Sequence, residues 1–350
     1  MTDREKEILE LIRKNPLISQ NELANELKIT RSSVAVHISN LIKKGFIKGK
    51  GYVLTEGSGD VIVIGGANID MTGHVHNDVK KYDSNPGSVS TTYGGVGRNI
   101  AENLSRLGFS VKLISTLGDD YQGDRMVKYC ENSGIDMSLT KKYPGERTSI
   151  YMQVLNDIGE LDVAVADMEV INKLTRDIII GYQHYLESAK AIVVDCNVSE
   201  SIIAYLSNHY GHKLFIDPVS TVKARKIKTA LNKAYCITPN KFELDQFADG
   251  DNLEEMMTDI AQKGAKHVVT TMGGNGVIYY DQKLHIKEAL QADIINVTGA
   301  GDAFVAGLVY GFINDRVFSE SVDYGLKMAK LTVESETTVS QLLSENILEA

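Results

Sequence analysis

Residues 293–312 read DIINVTGAGDAFVAGLVYGF, and the fold is legible from this stretch outward. The small and apolar run after Asp302 has helical spacing, so Thr298, Gly299, Ala300 and Gly301 lie where a helix begins. Backbone amides are unpaired at such an end, the helix dipole adds partial positive charge, and glycine lets a phosphate approach the main chain. The turn is therefore an anion hole, with Asp302 beside it as a carboxylate able to accept a hydroxyl proton. Taken alone, a GxGD turn is more readily a strand-to-helix connection in which Asp302 only caps the helix.

Upstream, the apolar runs VIVIG (61–65), KLIST (112–116), AIVVD (191–195), KLFIDP (213–218), YCITPN (235–240) and HVVTT (267–271) are too continuous for half-exposed strands. They alternate with helical patterns, which predicts an α/β body with a mainly parallel sheet covered on both faces. Ligands in such folds sit outside the carboxyl ends of the strands. Residues 147–167 alternate with period two around Asn156-Asp157-Ile158-Gly159, which predicts a hairpin off the main sheet. With the polar stretch 71–93 it would form a small lid. GGVGRNIAENLSRLG (94–108) is a glycine turn entering a helix, and GGANID (65–70) ends the first strand with the carboxylate of Asp70. Neither GxGxxG nor GxxxxGK[ST] occurs, so the common nucleotide cradles are missing.

In order and spacing, NID at 68–70, GGVGRN at 94–99, TPNKFE at 238–243, TMGGNG at 271–276 and TGAGDAF at 298–304 resemble the ribokinase, or PfkB, family of carbohydrate and nucleoside kinases. The resemblance covers residues 60–340. It implies a ribokinase-like three-layer fold with a small β lid, and an ATP- and Mg²⁺-dependent phosphotransferase. Carried over residue by residue, it makes Asp302 the base, with Gly299, Ala300 and Gly301 offering amides to the phosphoryl group. Asn240 and Glu243 would face the phosphates and hold Mg²⁺ through water; on their own they read as an ordinary helix start after Pro239. Thr271, Gly273 and Gly276 would pass the nucleotide, and Asn68, Asp70, Gly94, Gly95 and Asn99 would bind ribose hydroxyls. Within the family the SNPG, DVAVADM and VVDCNVSE segments are similar to pseudouridine kinases, whose substrate is then expected here. Val96 stands where ribokinase has lysine, and Asn296 where users of a monovalent cation often carry an acid. Base contacts are expected from Ser84, Asn85, Tyr151, Gln153 and Asp167.

The chain of 350 residues accommodates more than one domain, and its charge is segregated. The net charge is -9, yet residues 1–56 hold ten Lys and Arg against seven Asp and Glu, and residues 31–50 hold five basic side chains and no acidic one. That segment predicts three helices. The first carries Ile8, Leu9, Leu11 and Ile12. The second is capped by Ser19 and Glu22, and the third follows Thr30 and buries Val34, Ile38, Leu41 and Ile42. FIKGKGYVLT then reads as a basic hairpin. The pattern resembles a winged helix-turn-helix domain, which implies DNA contacts by Arg31, Ser32, Ser33 and His37 at the recognition helix and by Lys43, Lys44, Lys48 and Lys50 at phosphates. A docking or dimerisation module is the other reading.

The expected layout is a winged helix at 1–56, a linker at 57–60 and a kinase body at 61–350 with its lid at about 71–93 and 147–167. No apolar run reaches membrane-spanning length, and the charged start lacks a secretory h-region, so a cytoplasmic protein is expected. Cys130, Cys196 and Cys236 lack metal or disulfide spacing and read as buried thiols. A homodimer is expected from the pairing habits of such lids and winged helices.

Overall fold

A computed structural model describes residues 1–15, 18–47, 60–231 and 233–349. The chain divides into two compact units, one formed by Met1–Ser58 with Gly181–Ser188 and the other by Gly59–Ile180 with Ala189–Ala350.

The first unit holds helices α1 (Asp3–Lys14), α2 (Gln20–Leu27) and α3 (Arg31–Lys43). Capping boxes at Thr2 and Glu5 and at Ser19 and Glu22 satisfy the orphan amides of the first two, and Thr30 caps the third. Asn15 is extended, as a residue before proline must be. Ile8, Ile12, Leu23, Val34, Ile38, Leu41 and Ile47 close one core. Ile42 departs from expectation: it is 46% exposed, because Ile38 and Leu41 already fill the inward stripe. The hairpin at FIKGKGYVLT lies outside the described residues beyond Ile47.

The second unit is built on a nine-stranded sheet. Its strand order is Lys283–Lys287, Val277–Asp281, His267–Thr271, Cys236–Ile237, Leu214–Asp217, Ala191–Asp195, Val61–Ile64, Val111–Ile114 and Ile135–Asp136. The six apolar runs read from the sequence are all strands of this sheet and all run parallel. The hairpin Val277–Lys287 adds an antiparallel edge that the sequence reading did not anticipate. Each central strand is buried along its length, as parallel strands covered on both faces must be. The helix Ala300–Ile313 is buried on nearly every side and packs on the helix Phe318–Val333 and on Val96–Arg106.

A separate four-stranded sheet, in the order Gly87–Gly94, Asn68–Val75, Ile150–Leu155 and Leu161–Asp167, forms the lid. The hairpin is as read, with Gly159 in the left-handed region at its turn. Asp70 is placed differently: the first strand of the main sheet stops at Ile64, and Asn68–Asp70 opens the first lid strand. Gly65 and Gly66 make the break between the two. Cys130, Cys196 and Cys236 are buried, and no helix among the described residues is long and apolar enough to cross a membrane.

Candidate active site

Three adjoining cavities run across the carboxyl ends of the parallel strands. The first, about 310 Å³, lies between lid and sheet and is walled by Asn68, Asp70, Gly95, Asn99, Gly299 and Asp302 among others. A second of about 180 Å³ shares Asp302 and adds Asp217, Asn240, Glu243, Thr271 and Gly301. The third, about 480 Å³ and lined mainly by apolar atoms, shares Thr271 and Gly301 and adds Gly273, Gly276, Ala300 and Leu326. Asp302 thus stands at the first junction, and Gly301 at the second.

The turn before the Ala300–Ile313 helix is held open by its own geometry. Gly299 has φ 86, and a Cβ there would lie 2.2 Å from the carbonyl oxygen of Thr338. Only glycine accepts that conformation at such close approach. Thr298 is fixed from behind, its N–H donating to Asn296 Oδ1 at 2.9 Å. No side chain caps the helix, and the amides of Gly301 and Asp302 have no hydrogen-bond partner among the described residues. The Ala300 amide makes one long bond of 3.4 Å to Val297. An anion approaching this turn meets free N–H groups and the positive end of a helix.

Asp302 is buried, and Asn99 Nδ2 donates to its Oδ2 at 2.6 Å. Burial pushes its carboxyl up to about 7, with the neighbouring charges of Asp195 and Asp70 adding to the rise and Asn99 and Arg98 opposing it. This is the range in which a carboxylate serves best as a base near neutrality. Asp70 is also raised by burial, while Asn68 Nδ2 donates to its Oδ1 at 2.5 Å. Gly94 makes room for Asp70: a Cβ there would sit 2.1 Å from Asp70 Oδ2. Gly95, at φ 102, turns the chain into the Val96–Arg106 helix.

Asn99 reaches the cavity, but its amide is mostly engaged. Its Oδ1 accepts from Arg98 and Thr338, and one N–H goes to Asp302, which leaves a single N–H for a sugar hydroxyl. Asn240 and Glu243 likewise have local partners. Asn240 caps a one-turn helix by accepting from the Phe242 and Glu243 amides, and Glu243 Oε2 accepts from the Asn240 N–H at 2.9 Å. Both still line the middle cavity. Tyr151 reaches the first cavity, and Gln153, on the same lid face, donates to Thr72 at 3.0 Å. Asn85 is spent on its own loop, bonding the backbone of Lys80, and Asp167 is exposed. Ser84 is exposed too.

Two carboxylates escaped the sequence reading. Asp195 ends its strand by accepting from the amides of Gly66, Gly97 and Asn197 at 2.8, 2.9 and 2.8 Å, so it ties together the two glycine turns that floor the first cavity. Asp217 ends the adjacent strand and is raised well above the usual carboxylate range by burial, then by Asp302 and Glu243. The available signal was position: each is an acid closing an apolar parallel run, at the ligand-facing end. Lys223, also unanticipated, lines the first cavity with its ammonium on Asn197 Oδ1 at 2.6 Å.

In the first unit, Arg31 and Lys43 are exposed near the two ends of α3. Ser32 and Ser33 place their hydroxyls on the Thr30 cap, and His37 is half-buried. Lys44 differs from expectation. Its ammonium sits 2.9 and 3.0 Å from the two carboxylate oxygens of Glu5, a residue only 1% exposed, so it is an intramolecular ion pair rather than a free phosphate contact. Lys48 and Lys50 lie outside the described residues.

Comparison with known proteins agrees with this geometry. Residues 58–345 match the pfkB family carbohydrate kinase model, and residues 1–48 match a winged helix-turn-helix DNA-binding model. The chain is 35% identical over 292 residues to a pseudouridine kinase of Escherichia coli, covering 81% of this chain and 93% of that protein. It is 33% identical over 354 residues to an uncharacterized sugar kinase of the same organism, YeiI, covering 98% and 97%. Among solved structures, a carbohydrate kinase from Agrobacterium tumefaciens superposes with a TM-score of 0.72 at 27% identity, covering 83% of this chain and 95% of that one. Ribokinase from Thermotoga maritima superposes with a TM-score of 0.74 at 18% identity over 83% and 97%.

Proposed function

The chain belongs to the pfkB family of carbohydrate kinases, and from that premise we propose that it transfers the γ-phosphoryl group of ATP to the 5′-hydroxyl of pseudouridine, giving pseudouridine 5′-phosphate. The observation that carries this reading is the place of Asp302, shared by the first cavity, which would take the acceptor, and the cavity walled by the free amide of Gly301. A hydroxyl presented from the lid side meets the carboxylate, and a phosphoryl group presented from the other side meets the helix start.

In this reading Asp302 takes the hydroxyl proton as the oxygen attacks phosphorus. The amides of Gly301 and Asp302 and the helix dipole hold the charge on the migrating group. Phosphoryl transfer asks mainly for such positioning and neutralisation. Asp70 with Asn68 engages ribose hydroxyls, and the apolar cavity beyond Thr271 takes the adenine nucleotide. Burial raises the carboxyls of Asp217, Glu243 and Asp302, and Asp302 and Glu243 add to the rise at Asp217; oxygen ligands gathered this closely suit a divalent cation, whose charge would favour their ionised forms. Among the described residues no three ligand side chains converge on a point, so Glu243 and Asp217 would hold Mg²⁺ through its waters. Mg²⁺ would neutralise the phosphates.

The substrate rests on the pseudouridine kinase relative and on the lid segments. The similarity to YeiI supports a second reading, a kinase for another nucleoside or sugar. A panel of nucleosides and free sugars, assayed for ATP consumption with Mg²⁺, separates the two: pseudouridine should give the highest kcat/KM, and a better free sugar would replace it. For the N-terminal unit we propose DNA binding led by Arg31 and Lys43. A gel shift on the promoter of its own gene, with and without pseudouridine and at stated salt, tests this, and no retardation at low salt refutes it. Homodimerisation is proposed through the lid, whose outer face exposes Val89, Met152, Val163 and Val165; sedimentation as a monomer would exclude it.

A further inference from the structure

Arg98 is 1% exposed and is the largest fully buried side chain described. Its guanidinium donates to the carbonyls of Tyr93 and Gly94, to Asn99 Oδ1, to Thr338 Oγ1 at 3.2 Å and to Glu102 Oε2 at 2.5 Å, and it lies 5.7 Å from the centroid of the Tyr129 ring. Glu102, fully buried, is held in turn by Arg106 at 2.8 Å and by the Tyr129 hydroxyl at 3.1 Å. The charge is thus paired with Glu102, and the remaining hydrogen bonds go to the glycine-turn backbone at Tyr93 and Gly94, to Asn99 and to the Thr338 segment that seats Gly299. Burying an arginine is costly unless its partners fix something in return.

Asn99 shows what is fixed. A guanidinium can only donate and an ionised carboxylate can only accept. An amide held between them has one satisfactory orientation, with Oδ1 toward Arg98 and Nδ2 toward Asp302. We propose that Arg98 is a positioning residue for phosphoryl transfer, locking the Asn99 amide so that it occupies Asp302 Oδ2 and leaves Oδ1 aimed at the acceptor hydroxyl. Without the guanidinium the amide can turn over, present its oxygen to a carboxylate, and drive the Asp302 side chain off its rotamer. Among the described residues, the carboxylates of Asp70, Asp195 and Asp217 and the guanidinium of Arg98 act on Asp302, and the Lys223 ammonium lines the same cavity; of these Arg98 is the cation that lowers the Asp302 carboxyl, so it also favours the ionised base.

The inference rests on Asp302 being the base, and the test keeps the two apart. Wild type, Arg98→Gln, Arg98→Lys, Asn99→Ala, the double variant Arg98→Lys with Asn99→Ala, and Asp302→Asn are compared as full-length chains, with ATP, Mg²⁺ and pseudouridine or the acceptor the panel selects. Arg98→Lys should lower kcat about 10- to 100-fold with the KM for ATP little changed, as misplacement of a reacting group does. The loss should vanish in the Asn99→Ala background, because the relay is already cut. Carboxyl ¹³C NMR of aspartate-labelled protein, with Asp302 identified by its absence in Asp302→Asn, gives a readout free of substrate. Arg98→Gln should move that titration upward by about one pH unit. Additive losses in the double variant, or an unmoved titration with only a lower melting temperature, would overturn the relay. Full activity in Asp302→Asn would instead overturn the base assignment itself.

Discussion

At the scale of single residues, Asp302 makes the firmest prediction. Burial pushes its carboxyl up to about 7 in the folded protein, and a base must be ionised to work, so kcat should fall about tenfold per pH unit below that point. Asp302→Asn should lose about 10²- to 10⁴-fold in kcat. The same shift has an opposite consequence for stability. Because the folded-state value is above that of the unfolded chain, ionisation is disfavoured by folding, and stability is given up as pH rises from the ordinary carboxylate range through about 7. Asp302→Asn should therefore melt higher than wild type at pH 8, with the gain shrinking toward pH 5; equal melting curves at both would contradict the burial of a strained carboxylate. Asp302 was legible in the sequence because small residues crowd around it. Asp195 and Asp217 were not, since an acid after an apolar run also reads as the first residue of an ordinary loop, and only the converging strand ends give them a shared role.

Among elements, the turn at 298–301 depends on Gly299. Gly299→Ala must adopt a left-handed backbone, about 1–3 kcal/mol, while its Cβ presses on Thr338. A lower melting temperature together with weaker ATP binding, measured by calorimetry, is expected; unchanged ATP affinity would detach this turn from the nucleotide. The strands of the main sheet were legible because burial on both faces removes polar alternation. Ile42 and the Asp70 strand were misread for local reasons. An apolar residue next to Leu41 fits the helical stripe on paper, and the break at Gly65–Gly66 looks like a strand end rather than a passage into a second sheet. The Val277–Lys287 edge was missed because TMGGNG drew the reading toward a nucleotide turn, although that turn leads directly into the hairpin.

For the molecule as a whole, acidic body and basic N-terminal unit imply separate tasks, and Lys44 distinguishes a folding role from a DNA role. Lys44→Ala leaves the buried Glu5 carboxylate without its cation and should destabilise the N-terminal unit by about 1–3 kcal/mol, read by thermal unfolding at neutral pH. Arg31→Ala with Lys43→Ala should leave that transition in place and reduce the salt dependence of DNA retention, as the loss of phosphate contacts does. A melting loss in the second pair and none in the first would reverse these assignments. The DNA contacts proposed for Lys48 and Lys50 depend on residues beyond those described.

The strand Val61–Ile64 hydrogen-bonds on one side to Val111–Ile114 and on the other to Ala191–Asp195. During translation at ~5–20 residues per second, its second neighbour leaves the ribosome on the order of ten seconds after it does. The α1–α3 core, whose side chains come from residues 8–47, can close in that interval, as short-range helical cores do quickly. The nascent chain would then carry a closed three-helix core ahead of an apolar β-strand paired on at most one edge, and chaperone dependence should fall on the kinase half.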